Sequence, residues 1–230
     1  MLSAQRSAQK SARALAQRWF HSSPLSSTIA TTSVNNQHLD KKFYDVPEGH
    51  MDSDLSQIAC NIGLNRRRDL KLGAAGNVKV IISGKPMTLE TLLKDNLTVI
   101  FGVPDRGSVC SKTHVPGYLK ELDALRKQGI TQIVCVSRGD PATVDAWGKE
   151  TAGKQANDIL FAADPNGGLT RLLGMDMEQG SSDGPQSLRY SLALEDGIIL
   201  KVMVEKNLGD VNITSGSKMV EFLKSRPGAQ

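Results

Sequence analysis

An α/β domain, with a central mixed β-sheet flanked by helices, is the fold class this sequence predicts. Two observations carry it. The apolar run at 97–103 (LTVIFGV) and the strand-like run at 130–137 (ITQIVCVS) have the length and content of strands buried on both faces. Segments with helical spacing of leucines separate such runs, as a layered α/β arrangement requires.

Taken in order, residues 77–84 (NVKVIISG) alternate and end in Gly, which reads as a hairpin or edge strand. Residues 87–95 (MTLETLLKD) place Leu89, Leu92 and Leu93 on one side of a short helix. After the strand at 97–103, Tyr118, Leu119, Leu122 and Leu125 recur at helical spacing over 114–129, and Gly129 supplies a stop. Beyond the strand at 130–137, Asp140-Pro141 is an N-cap followed by proline at the first helical position, which predicts a helix over 140–153. A third strand is expected at 158–164 (DILFAAD) and a short helix at 168–175. A hairpin over 189–205 turns at Asp196-Gly197, and an amphipathic helix over 217–226 closes the domain. This order of strands and helices is the thioredoxin-like one.

The chain has 230 residues and a net charge of +4, carried by one segment. Residues 1–39 hold Arg6, Lys10, Arg13 and Arg18 and no acid, and the remainder balances at 24 basic against 24 acidic residues. The charge total therefore indicates no nucleic-acid partner. Ala8, Ala12, Leu15 and Trp19 line one face of a helix and Arg6, Lys10 and Arg13 the other, the pattern of an organellar transit peptide. Arg18-Trp19-Phe20 resembles a matrix-processing site, so residues 1–20 read as a mitochondrial transit peptide directing the protein to the matrix, with plastid the alternative. Residues 21–74 read as a flexible or partly ordered extension, unstructured over 22–45 and with a short helix over 54–64, and 75–226 as the globular domain. No apolar run approaches membrane-spanning length, so no membrane association is expected. The three cysteines form no CxxC and the four histidines no cluster, so no metal and no disulfide framework is expected.

Cys110 stands where the chain leaves a buried strand through Pro104-Asp105-Arg106-Gly107-Ser108 and enters a helix. Free N–H groups of a first helical turn favour negative charge. The position therefore predicts a thiol of lowered pKa, a nucleophile, against the alternative of a small buried hydrophobe.

FGVP followed by CSKTHVPGY resembles the active-site segment of the peroxiredoxins, in their type II, peroxiredoxin-5-like branch. VCVSRGDPATVDAWGKE, ADPNGGLTRLLGM and LRYSLALEDGIILKVMVE continue the resemblance in register over about residues 75–225. It implies a thiol-dependent peroxidase for hydrogen peroxide and alkyl hydroperoxides, with a role in redox homeostasis. Cys110 is then the peroxidatic cysteine, Arg189 the arginine that holds thiolate and peroxide, and Pro104 a shield against solvent. Cys135 stands 25 positions beyond Cys110, where plant members carry a resolving cysteine, and is equally placed to be a buried structural residue. Cys60 lies outside the resemblance. The resemblance further implies no cofactor, recycling by thioredoxin or by glutaredoxin with glutathione, and a homodimer.

The loop departs from the family pattern Pro-x-x-x-Thr-x-x-Cys by being one residue shorter. Counted from Pro104, Ser108 takes the threonine position; counted from Cys110, Gly107 does. Asp105 is expected to oppose an anion nearby and Arg106 to compensate. These departures motivate a second reading, a catalytically weakened relative serving as a redox sensor or as a binding subunit of a mitochondrial assembly. A disulfide reductase is the third, disfavoured without CxxC.

Overall fold

The computed structural model describes residues 44–45, 73–177 and 186–226. The expected transit peptide, the helix over 54–64 and Cys60 lie outside the described residues.

The strands are β1 (Tyr44–Asp45), β2 (Lys79–Ile82), β3 (Lys85–Thr88), β4 (Leu97–Val103), β5 (Gln132–Ser137), β6 (Leu160–Ala163), β7 (Tyr190–Glu195) and β8 (Ile198–Val204). They form one sheet in the order β1-β8-β7-β4-β5-β6-β2-β3. Parallel pairing of β4 with β5 and of β5 with β6 sits at its middle; β7 joins β4, and β2 joins β6, antiparallel. The mixed sheet expected from the sequence is therefore present.

Alternation along β4 sends Ile100 into one core and Val99, Phe101 and Val103 into the other. On the first face α2 (Leu89–Leu93) and α6 (Gly168–Leu172) contribute Leu89, Leu92, Leu93 and Leu169. On the second face lie α3 (Val115–Lys120), α4 (Leu122–Lys127), α5 (Pro141–Ala152) and α7 (Gly216–Lys224), which contribute Val115, Tyr118, Leu125, Val144, Met219 and Leu223. Burial on both faces is why the central strands read as continuous apolar runs.

Local chemistry sets several boundaries as the sequence predicts. Asp140 accepts from Thr143 N at 2.9 Å and Pro141 opens α5. Asp196 and Gly197 both have positive φ, 47° and 78°, as a tight hairpin turn between β7 and β8 requires.

Other expectations are corrected. The segment 114–129 forms two helices, α3 and α4, with a break at Glu121. Residues 85–88 are strand, so the helix expected over 87–95 starts only at Leu89; Pro86 is tolerated because β3 is the sheet edge. Tyr44–Asp45, expected to be unstructured, pair in parallel with Val202 and Met203 and cap the opposite edge. A two-residue strand carries no periodicity by which sequence could reveal it. The short helix α1 (Gly73–Gly76) precedes β2.

Gly102 shows how closely β4 approaches β7. A Cβ there would lie 2.0 Å from Cε1 of the fully buried Tyr190 ring. Gly102→Ala should destabilise the domain by about 1–3 kcal/mol through overpacking, read as a lowered urea midpoint at unchanged slope.

Candidate active site

Strand β4 ends at Val103, and the buried Pro104 turns the chain into the loop that carries Cys110. The helical turn opens before the cysteine: Ser111 N donates to Gly107 O at 3.0 Å. Residues Cys110–His114 then form a π-helical turn in which Val115 N donates to Cys110 O, five residues back. Pro116 has no N–H to give to Lys112, so the ordinary helical ladder is broken at this point. Such wide turns recur at functional sites. The spacing still leaves Cys110 and His114 on the buried side.

Four hydrogen bonds fix the loop. Arg106 Nη1 donates to Ser137 Oγ at 3.2 Å and to Arg138 O at 2.7 Å, tying the loop to the end of β5. Trp147 Nε1 on α5 donates to Ser111 Oγ at 2.8 Å, and that hydroxyl donates to Arg106 O. Arg106 is thus spent on the β5 end, and its guanidinium has no bond to the cysteine it was expected to assist.

The Cys110 sulfur is fully buried. Nη1 and Nη2 of Arg189 each donate to Sγ at 3.5 Å. Arg189 precedes β7, is 2% exposed, and gives Nε and Nη2 to Leu208 O at 3.0 and 2.7 Å. Its Nη1 lies 3.0 Å from His114 Nδ1. Because Arg can only donate, Nδ1 accepts, and Nε2–H of His114 is left to donate to Thr214 O at 3.2 Å. His114 is therefore a neutral imidazole, and burial, with Arg189 beside it, lowers its pKa to about 3. Tyr118 Oη donates to the same Thr214 O at 3.0 Å, while its ring stacks on Phe101. Glu205 Oε1 holds the far side of this loop by accepting from Asn212 N, Thr214 N and Thr214 Oγ1.

The sulfur has a second polar neighbour. Cys110 S–H donates to Asp105 Oδ1 at 3.3 Å, and the same oxygen accepts Gly107 N at 2.8 Å. The expected lowered thiol pKa is corrected by this environment. Burial pushes the Cys110 thiol up and outweighs the lowering by Arg189, and Asp105 adds to the rise. Ser108 is exposed, and among the described residues no hydrogen bond joins its hydroxyl to the sulfur. Cys135 is fully buried on β5, opposite Phe101, in the same apolar cluster as Cys110. Both thiols are free, and burial, followed by the nearby Cys110, holds the Cys135 thiol well above its ordinary value. Among the described residues no group of three or more His, Cys, Asp or Glu could hold a metal ion.

The structure thus brings Cys110 and Arg189 together, with Cys135 in the same apolar cluster as Cys110 and Pro104 buried at the end of β4. Sequence reasoning gave no role to His114, although its spacing of four from Cys110 on a helix was a usable signal. The carbonyls of Leu208 and Thr214 had no signal at all, since any residue supplies a carbonyl.

A buried neutral His114 makes stability depend on pH. The unfolded imidazole binds a proton below about 6.5, and the folded one refuses it until about 3. Stability is therefore intact above this window and falls as pH drops through it, by at most about 1.4 kcal/mol per pH unit. Urea titrations across the window should show that slope, and His114→Gln should flatten it.

Comparison with known proteins agrees with this geometry. The family model described as Redoxin matches residues 74–216. Peroxiredoxin-2F, mitochondrial, of Arabidopsis thaliana is 32% identical over 164 residues, covering 70% of this chain and 78% of that protein. Peroxiredoxin-2E-2, chloroplastic, of Oryza sativa subsp. japonica is 32% identical over 143 residues, 60% of this chain and 63% of that protein. The crystal structure of reduced Prx3 from Vibrio vulnificus superposes with a TM-score of 0.60 at 25% identity, covering 64% of this chain and 94% of that one. With this fold, a buried cysteine held by arginine and these relatives, the chain belongs to the redoxin family, on its type II peroxiredoxin branch, and is a thiol-dependent peroxidase that takes a peroxide substrate and a thiol reductant.

Proposed function

We propose that Cys110 is the peroxidatic cysteine and that Arg189 stabilises its thiolate and the peroxide oxygens. The carrying observation is the pair of Nη–Sγ contacts at 3.5 Å from a guanidinium that is itself buried. In the reaction the sulfur attacks one peroxide oxygen, an S–O bond forms and the O–O bond breaks. Sulfur is oxidised to the sulfenic acid, and the second oxygen leaves as water or alcohol after taking a proton. A cation fixed by Leu208 O and His114 needs no reorganisation as charge moves from sulfur to the leaving oxygen. Pro104, buried at the end of β4, screens the sulfur from water. The Vibrio vulnificus relative has also been solved in complex with H2O2, which supports the substrate.

Cys135 is the candidate resolving thiol. A bond to Cys110 needs Cα atoms within about 7 Å and the π-turn unwound. Thioredoxin, or glutaredoxin with glutathione, is the proposed reductant, and a homodimer the proposed assembly; both rest on the family. The basic amphipathic pattern of residues 1–20 and the mitochondrial relative support import into the matrix, with 21–74 as an extension and 75–226 as the catalytic domain. No feature of the fold or the relatives favours the non-catalytic alternative.

Stopped-flow mixing of reduced protein with hydrogen peroxide tests the site. Cys110→Ser should abolish fast peroxide loss, and Arg189→Lys, which removes the planar fork, should slow it about 100-fold. Retention of the rate in Cys110→Ser would overturn the assignment. Mass spectrometry of the oxidised protein should find a Cys110–Cys135 disulfide that Cys135→Ser lacks; a sulfenic acid persisting unchanged in both would remove Cys135 as resolver.

A further inference from the structure

The sulfur that attacks peroxide must shed a proton, and the groups around it differ in their ability to take one. Arg189 cannot accept a proton, because all its polar atoms are donors. His114 has its Nδ1 engaged by Arg189 and its Nε2–H by Thr214 O, so neither nitrogen is open to the sulfur. Cys135, packed below on β5, is kept protonated by burial. Arg106 is turned to Ser137 and Arg138. Asp105 remains: its Oδ1 already accepts the S–H at 3.3 Å and is fixed by Gly107 N–H at 2.8 Å.

A carboxylate beside a nucleophilic sulfur has two opposite consequences. As a fixed charge it opposes the thiolate and slows the reaction. As a base it removes the proton during attack and speeds it. The hydrogen bond already directs the proton at Oδ1, which is the geometry general-base catalysis needs. This contact lies within the shortened loop, the segment in which the resemblance implies a threonine.

We propose that Asp105 is the general base, and then the general acid, of the peroxidase step. This role rests on Cys110 being the attacking sulfur. As Sγ forms its bond to the nearer peroxide oxygen, the S–H proton passes to Asp105 Oδ1. The O–O bond breaks with its electron pair going to the farther oxygen, and that oxygen takes the proton from Asp105. The thiol and ROOH become the sulfenic acid and ROH, and Asp105 is a carboxylate again.

Single-turnover oxidation of wild type, Asp105→Asn, Asp105→Glu and Cys110→Ser by hydrogen peroxide across about pH 6–8 distinguishes the two consequences. Asparagine keeps an oxygen for Gly107 N–H and removes only the charge and the basicity. Expected for Asp105→Asn is a thiol that ionises at lower pH by iodoacetamide alkylation, yet an oxidation about 100-fold slower near pH 7 and rising about tenfold per pH unit. The wild type should stay nearly flat over the same range, and Asp105→Glu should recover part of the rate. An Asp105→Asn protein as fast as wild type, or faster, overturns the role of Asp105 while leaving Cys110 in place. A wild type no faster than Cys110→Ser overturns the Cys110 assignment and this role with it.

Discussion

The site depends on one buried guanidinium. Arg189 is 2% exposed, and burying an ion costs several kcal/mol even after relaxation. Its hydrogen bonds go to a backbone carbonyl, a neutral imidazole and a sulfur; none goes to a carboxylate among the described residues. A cation held this way lacks a full counter-charge at rest. The group in contact with it that can become an anion is Cys110, the sulfur proposed to attack peroxide. The surrounding residues follow from that requirement. His114 stays neutral so as not to add a second positive charge, and Thr214 O sets its tautomer. Glu205 spends its carboxylate on the loop amides that position Thr214.

Burial and charge act against each other on the sulfur. In this closed arrangement burial prevails and the thiol carries its proton, with Arg189 lowering and Asp105 raising its pKa. The buried sulfur is therefore set between one neighbour that favours its anion and one that opposes it. The loop that presents Cys110 is anchored by Arg106 to the end of β5 and by Ser111 to Trp147 of α5. With one residue fewer than the family pattern, it holds a carboxylate contact and the arginine contacts on one sulfur.

Much of the fold was legible because its causes are local or periodic. The strand over 97–103 was readable from an apolar run that both cores require, and α5 from the Asp140-Pro141 cap. The hairpin was readable from Asp196-Gly197, whose positive φ few other residue pairs accept. Strands β1 and β3 were not, since two residues have no pattern and a proline in an edge strand argues against strand. The break at Glu121 was also hidden, because Leu119, Leu122 and Leu125 keep helical spacing across it.

By itself the sequence determined that a cysteine would stand where a buried strand passes into a helix, since strand ends and helix starts are properties of neighbouring residues; Arg189 was picked out only by the family resemblance. Only the tertiary structure decided the state of that cysteine. The helix-entry position predicts a thiol easier to ionise, but desolvation sums over everything packed around the sulfur in the folded chain, and no local window contains that sum. In the same way, only folding could decide that Arg106 turns to the end of β5 and that His114 hands its lone pair to Arg189, because each of these contacts joins segments set side by side by the sheet, whereas the Asp105 contact with the sulfur is made within one loop.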